Sequence, residues 1–308
     1  MSSDTFFSSY VGIDWSGAKG KHHAGLQVAV AEVGATVPYR VCPPKNHQWS
    51  RQQIFEYLVA CADNSSGKFP VLAGIDFAFA HPFNDKGGYF PGVFNSPKSA
   101  VNLWALIDEI NQNQPDLYGG GMFSHSHWGE YYLAPPTYQA RHYLNRRRVT
   151  EIAAQAAGCS PSITFKAVGP DNVCTGSLAG MRLLHKLKYH LGDRLSIWPF
   201  DTILAGETNL VLVEIFPSLY FYRLGMVPAK KAAADPMFLN RALANYNSDG
   251  VSRNYTPMGK DADESDAIIS AAALRYFSKG RAFDLPAAAQ AIASFEGWIF
   301  GVPVIPKN

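Results

Sequence analysis

The sequence has few cysteines, no long apolar run and almost no net charge. Its four cysteines, Cys42, Cys61, Cys159 and Cys174, are far apart and form no CxxC pair, which excludes a zinc knuckle and a CxxC redox motif. No segment reaches the ~18 apolar residues of a membrane helix, and the first ten residues do not resemble a signal peptide. We therefore expect a soluble, cytoplasmic protein that makes no membrane contact and carries free thiols.

The charge balance excludes one class of nucleic-acid binder. The chain carries 27 basic and 25 acidic side chains, a net charge of +2, which gives none of the general attraction of a histone-like protein or a basic tail. Any contact with nucleic acid would need a local patch. The length of 308 residues with 47% apolar content is enough to bury a full core. The oligomeric state is not readable from the sequence.

The order of apolar runs favours an α/β protein with a mixed sheet. Runs rich in β-favouring residues predict strands, and apolar residues at helical spacing predict helices. The predicted strands cover about 10–14, 26–33, 39–42, 71–80, 164–168 and 209–218. The predicted helices cover about 51–62, 100–113, 150–157, 176–190 and 263–277. The segment 85–136 is rich in Gly, Pro, Asn and aromatic residues, which indicates an ordered insertion able to cover a cleft.

Acidic residues stand at the ends of predicted strands. Asp14 and Asp76 each close an apolar run in the tripeptide Gly-Ile-Asp, and Glu214 closes another in Val-Glu-Ile. Asp263 and Asp266 open the late helix three residues apart, so both can face one site. Ionised carboxylates beside buried strands need partners, because desolvation costs several kcal/mol. Here they could share a cation.

Oxygen donors of this kind suit Mg²⁺ or Mn²⁺, and two such ions can hold the attacking and leaving oxygens of a phosphodiester. The sequence therefore predicts a two-metal hydrolytic site. Structural explanations stay open for single residues. A strand-end Asp beside a Gly-rich turn is often a turn-former, Glu214 could pair with Arg223, and Asp263 could only cap its helix.

Five segments, in order, resemble one known family. The strings VGIDWSG, LAGIDFAFAHPF, VEIFPSLYFYRLG, DESDAIISAAALRYF and EGWIFGVP look like the family catalogued as domain of unknown function 429, a group of predicted nucleases with a ribonuclease H-like fold. The DESDA helix also resembles the last acidic helix of the Holliday-junction resolvases of that superfamily. The resemblance spans about residues 10–300 and is weakest at about 85–135.

The resemblance implies one ribonuclease H-like domain over residues 1–308, with a mixed sheet flanked by helices and an insertion at about 85–136. It implies that Asp14 is the metal ligand of the first strand and that Asp76 and Glu214 supply carboxylates at the sheet edge. Asp266, with Asp263, would complete the site. The activity implied is metal-dependent hydrolysis of phosphodiester bonds in a nucleic acid, with Mg²⁺ or Mn²⁺ as the cofactor.

Basic residues near these positions are candidates for phosphate contact. They are Lys19 and Lys21 after the first strand, and Arg141, Arg146, Arg147 and Arg148 in the run RHYLNRRR. Tyr138 and Tyr143 lie among the arginines, as in a groove for single-stranded nucleic acid, although a solvated helix face would show the same pattern.

Histidines offer two further hypotheses. His125 and His127 in HSH could hold a metal ion, and His22 or His23 could shuttle a proton beside the first strand. No third ligand is spaced to help the first pair.

Two other function classes use the same features. The turn DWSGAKG could cradle nucleotide phosphates, as in the actin-like and sugar-kinase relatives of this fold, which would make the protein a phosphotransferase. A second phosphate loop and a Gly-rich adenosine motif, which such proteins carry, are not apparent. The fold could also be kept as a non-catalytic binding module.

Overall fold

The structure is a computed structural model that describes residues 7–44, 48–135, 140–169, 172–227, 234–259 and 262–304. Over these residues six strands form one mixed sheet with helices on both faces. The strands are β1 (Ser9–Asp14), β2 (Gln27–Glu32), β3 (Tyr39–Arg40), β4 (Val71–Ile75), β5 (Leu195–Ile197) and β6 (Leu210–Glu214). The α-helices are α1 (Arg51–Asp63), α2 (Ala100–Ile110), α3 (Val149–Ala156), α4 (Cys174–Leu191), α5 (Pro217–Tyr222), α6 (Pro236–Asn245), α7 (Asp263–Phe277) and α8 (Ala287–Glu296).

The sheet combines an antiparallel meander with a parallel half. The strand order is β3-β2-β1-β4-β6-β5. Strand β2 runs antiparallel to β1 and β3, whereas β1, β4, β6 and β5 run parallel to one another. Antiparallel neighbours need only short loops, but parallel neighbours need crossovers long enough to contain helices. Helix α1 therefore lies in the connection after β3 and helices α2 to α4 in the connection after β4, and helices α5 to α8 follow β6.

Each face of the sheet buries its own apolar cluster. Along β1, Val11 and Ile13 join a cluster with α1, α2 and α4, whereas Tyr10 joins a second cluster with α5, α6 and α7. Successive side chains of a strand point to opposite faces, so one strand contributes to both clusters. This alternation also decides where the strand-end carboxylates point.

Helix α7 lies unusually close to the centre of the sheet. A Cβ atom added to Gly12 of β1 would be 2.2 Å from the carbonyl oxygen of Ala267 and 2.7 Å from the amide nitrogen of Ala271. Only a residue without a side chain fits between the strand and the helix backbone. The alanine-rich sequence of α7 favours a helix and keeps the helix surface thin enough for this approach.

The aromatic segment is ordered and contributes to the core. Tyr89, Phe90, Trp104, Trp128 and Tyr132 are buried and belong to the cluster on the α4 face. The prediction of an α/β protein with a mixed sheet flanked by helices is confirmed.

Some predicted elements differ from those observed. The strand predicted at about 164–168 is wrong, because the segment forms only an isolated bridge between Lys166 and Leu133. Strand β5 and helices α5, α6 and α8 were not predicted, and α5 begins at Pro217, inside the strand predicted over 209–218. Among the described residues, no helix is both long enough and apolar enough to cross a membrane.

Candidate active site

Three parallel strands end at the same edge of the sheet, and each carries an acidic residue there. In the register of the sheet Ile13 lies opposite Ile75, and Ile75 lies opposite Glu214. The amide of Asp76 donates to the carbonyl oxygen of Ile13 at 3.0 Å, which holds the start of the loop after β4 beside the end of β1. Asp14 and Asp76 are therefore neighbours across two strands.

The acidic residues do not all face the same side. Asp14 and Asp76 each follow an isoleucine, whereas Glu214 stands in register with those isoleucines. Ile13 and Ile75 belong to the α4-face cluster, so alternation turns Asp14 and Asp76 toward the α7 face. Ile215, which follows Glu214, packs in the α7-face cluster. Glu214 therefore points to the other face, one residue out of step with the two aspartates.

The N-terminus of α7 brings the remaining carboxylates to the α7 face. The helix begins at Asp263, and the residue before it, Ala262, has a left-handed conformation with φ of 67°. Asp263 is the first helical residue, and the cap position belongs to Ala262. Because α7 touches β1 at Gly12 through Ala267, the adjacent Asp266 lies near the end of β1. Negative side chains in the first turn also interact favourably with the helix dipole.

The electrostatics of the three aspartates show that they form one group. Burial, followed by the charges of Asp266, Asp76 and Asp263, raises the pKa of Asp14 well above its ordinary value. Burial and the charges of Asp266 and Glu214 raise the pKa of Asp76 in the same way. Burial, with the charge of Asp263, raises the pKa of Asp266 to about 7. The pKa shifts agree with the positions of these residues at the end of β1, just after β4 and at the start of α7.

Asp14, Asp76, Asp263 and Asp266 are called the carboxylate cluster, and three of them lack a basic partner among the described residues. No described Lys, Arg or His side chain forms an ion pair with Asp14, Asp76 or Asp266, and Asp14 is only 8% exposed. Over the described residues, however, no group of three His, Cys, Asp or Glu side chains is arranged as a metal site. Carboxylate oxygens are the ligands that hard cations prefer. To bind such a cation, these side chains would have to rotate toward a common point.

Glu214 has a different partner. Its two carboxylate oxygens accept hydrogen bonds from Arg148 Nη1 at 2.7 Å and Nη2 at 2.5 Å, and its Oε2 also accepts from the amide of Phe79 at 3.0 Å. Both side chains are buried. A bidentate pair of this kind satisfies the carboxylate, so Glu214 has no need of a cation. The alternative partner, Arg223, instead donates to the carbonyl oxygen of Gly301.

Arg148 is the centre of a buried polar network that the sequence did not reveal. Its Nε donates to Glu151 at 2.8 Å and its Nη1 to the carbonyl oxygen of Glu296 at 3.0 Å. Burial opposes the charge of Arg148, but Glu214 and Glu151 outweigh it and raise the pKa of the guanidinium. Glu296 in turn accepts from the amides of Phe83 and Val149, each at 2.7 Å. The arginine run therefore connects α3, α8 and the segment after β4.

The other predicted phosphate contacts divide into two groups. Arg146 is buried, pairs with Asp85 and donates to the carbonyl oxygen of Tyr89 at 2.8 Å, and Arg147 donates to the carbonyl oxygen of Pro161 at 2.7 Å. Arg146, Arg147 and Arg148 are therefore used in contacts within the protein.

The exposed candidates for phosphate contact are Lys19, Lys21 and Arg141. Tyr138 lies outside the described residues, and Tyr143 packs partly buried against the core.

The predicted histidine sites are not assembled. His125 Nδ1 accepts from the amides of His127 and Trp128, so its ring is used in a local turn. His23 Nε2 lies 3.2 Å from Asp116 Oδ2, which is not one of the strand-end carboxylates. His22 is exposed.

A buried histidine was missed. His81 lies between Thr164 Oγ1 at 2.9 Å and Tyr132 Oη at 2.8 Å. Burial lowers its pKa well below the usual value, and the positive charges of Arg148 and Arg146 lower it further, so the ring is neutral. Its contacts are structural.

No protein-family model, no curated protein sequence and no solved structure matches the chain.

Proposed function

We propose that the protein is a metal-dependent phosphodiester hydrolase of nucleic acids with a ribonuclease H-like fold. The observation that carries the proposal is that Asp14, Asp76 and Asp266 come together from β1, the end of β4 and α7. Burial and neighbouring carboxylates raise the pKa of each, and none of the three forms an ion pair with a described basic residue. Burying several carboxylates together destabilises the folded state, and a bound cation would offset that cost. Among common cations, Mg²⁺ and Mn²⁺ prefer oxygen donors of this type.

The sheet supports the fold assignment. Strands β1, β2 and β3 form an antiparallel meander, and β1 also pairs in parallel with β4. This order, with a carboxylate at the end of β1, agrees with the ribonuclease H-like family that the sequence resembles. The helix that carries the last acidic residues packs directly over the first strand, which agrees with the same resemblance. The proposal and the resemblance thus rest on the same positions.

In the proposed site Asp14, Asp76 and Asp266 hold the cation, and Asp263 adds negative charge beside them. Bound there, a divalent cation would neutralise charge on the scissile phosphate and acidify a water molecule. Glu214 is left out of this ligand set because Arg148 already occupies it. Its role is to fix the loop after β4, since it accepts the amide of Phe79 three residues beyond Asp76.

The packing of the turn after β1 disfavours the phosphotransferase alternative. A Cβ atom on Gly17 would lie 2.1 Å from the amide nitrogen of Gly176, so the turn is pressed against α4. Arg51 binds the carbonyl oxygens of Ser16 and Ala18, at 2.6 Å and 3.2 Å from its Nη1. The turn is therefore packed and tied down where a phosphate cradle would have to be open.

The test is cleavage of single- and double-stranded DNA and RNA with Mg²⁺, Mn²⁺ or EDTA, together with calorimetric titration of Mn²⁺. We expect Mn²⁺-dependent cleavage by the wild type, loss of both cleavage and Mn²⁺ binding in Asp14→Asn, and neither effect in Asp63→Asn. Asp63 is a matched control because it is an exposed aspartate paired with Arg194. Cleavage by Asp14→Asn at the wild-type rate, or a wild type that binds no Mn²⁺, would refute the proposal. Stoichiometric Mg²⁺-dependent ATP binding would favour the phosphotransferase.

A further inference from the structure

A cavity of about 480 Å³ lies between the β1–β2 loop, the start of α1, the segment after α2 and the middle of α4. None of the strand-end carboxylates lines it. Its polar walls are supplied by two lysines, one arginine, three glutamines and one aspartate: Lys21, Lys186, Arg182, Gln52, Gln112, Gln114 and Asp116. The cavity therefore presents cationic and carboxamide groups together.

Arg182 is the buried part of this wall. Its side chain is 3% exposed, and its Nε donates to Asp108 at 2.8 Å. Its Nη1 donates to the carbonyl oxygens of Gln114 at 3.3 Å and Tyr118 at 2.8 Å. Its Nη2 donates to none of the described residues. A guanidinium nitrogen that has no acceptor among the described residues, on the wall of a cavity, is a donor that a ligand can satisfy.

The local charges leave a positive excess. Lys186 shares Asp108 with Arg182, at 3.2 Å from the second carboxylate oxygen, so one acid faces two bases there. Lys21 adds a further positive charge and forms no ion pair with the described residues. Burial lowers the pKa of the nearby Arg51, the charge of Asp116 opposes this shift, and the positive charge of Arg182 lowers the pKa further.

Asp116, the one carboxylate on the cavity wall, has its own partners. Its Oδ2 accepts from the amide of Arg51 at 3.2 Å and its Oδ1 from the amide of Gln52 at 3.0 Å, which caps the N-terminus of α1. His23 is 3.2 Å from Oδ2. Asp116 and the following Leu117 both have a positive φ, 47° and 56°. The carboxylate of Asp116 is thus directed at α1, and neither Lys21 nor Lys186 forms an ion pair with it.

We propose that this cavity is a binding site for a phosphate group carried by a larger molecule. Phosphate offers several strongly accepting oxygens and up to two negative charges, which match two ammonium groups and one guanidinium nitrogen. The volume exceeds that of a single ion, and the glutamines can donate to or accept from the attached organic part. The phosphate could belong to a small phosphomonoester or to a nucleic-acid backbone, and the inference does not depend on the cleavage chemistry of the carboxylate cluster.

Calorimetric titrations at fixed ionic strength, in EDTA and in the Asp14→Asn background, would test this site. The two ligands are thymidine 5′-monophosphate and a short oligothymidylate without a terminal phosphate. Lys186→Gln and Lys21→Gln should each weaken binding about tenfold, and Lys186→Arg should restore it. Lys188→Gln is the matched control, because Lys188 lies on the same helix but pairs with Asp201.

The pattern of loss identifies the source of the phosphate. A selective effect on the monophosphate indicates a small phosphomonoester, and an effect on the oligothymidylate indicates a nucleic-acid backbone. Absence of saturable binding of both ligands would overturn the proposal. So would equal weakening by Lys188→Gln, since that result would indicate general attraction to a basic surface.

Discussion

Replacing Asp266 by asparagine should stabilise the metal-free protein. Burial and the neighbouring Asp263 raise the pKa of Asp266 from 3.8 to about 7. At ~1.4 kcal/mol per unit, the ionised side chain costs the folded state up to about 4 kcal/mol at pH 8. Asparagine has the same shape without the charge, and it loses only a helix-dipole contribution of about 0.5 kcal/mol. We therefore expect the free energy of unfolding to rise by about 2–3 kcal/mol.

The pH dependence gives this prediction its sign. A carboxylate whose folded pKa is raised binds more protons in the folded than in the unfolded state, so stability falls as pH rises between the two pKa values. The advantage of Asp266→Asn over wild type should therefore be near zero at about pH 4, grow through pH 5 and 6, and level off above about pH 7. An advantage that does not change with pH would contradict the electrostatic origin.

The assay is urea unfolding in EDTA at several pH values, followed by circular dichroism, with and without Mn²⁺. At about 2.1 cal/mol/K per residue, a gain of 2–3 kcal/mol corresponds to a rise in Tm of about 3–5 °C for this chain. Mn²⁺ should stabilise the wild type, because a bound cation offsets the repulsion between the ionised carboxylates. It should have much less effect on Asp266→Asn, because the substitution has already removed that repulsion. A variant that is less stable than wild type at pH 8 would refute the reasoning.

Two further predictions concern the elements that support the site. Arg148→Met should destabilise the protein by about 3–5 kcal/mol in urea unfolding, because it leaves Glu214 and Glu151 buried without their cation; a loss below 1 kcal/mol would contradict the buried pair. Gly12→Ala should cost more than about 2 kcal/mol and weaken Mn²⁺ binding, since the added Cβ would lie 2.2 Å from a carbonyl oxygen of α7. Gly176→Ala is its control, because the added Cβ would meet only ordinary contacts, and equal losses in both variants would refute the close approach.

Much of the sheet was predictable because its strands are continuous apolar runs closed by polar residues. The runs that end at Asp14, Ile75 and Glu214 are each buried along nearly their whole length, and such runs are visible in the sequence. Strand β5 was missed because it has only three residues, Leu195–Ile197, too few to show a period. The strand predicted at 164–168 failed because an apolar segment can be buried in a loop, as Phe165 is here beside His81.

The basic run shows a different limit of sequence reasoning. Four arginines close together suggest a surface patch, yet Arg146 and Arg148 are buried in ion pairs with Asp85 and Glu214, distant in sequence. Similarly, the partners of Arg182 come from α2 and the segment after it. Local sequence carries no sign of such pairs, because each depends on how separate elements pack.

The position of Glu214 shows how one residue of register separates two roles. Asp14, Asp76 and Glu214 all close apolar strands, and by sequence alone they form one set. In the sheet, Glu214 is level with Ile13 and Ile75, the residues before the two aspartates. Since alternation reverses the face at each step, the aspartates meet α7 and Glu214 meets Arg148. The same strand edge thus holds carboxylates that disfavour one another's ionisation on one face and a buried ion pair on the other.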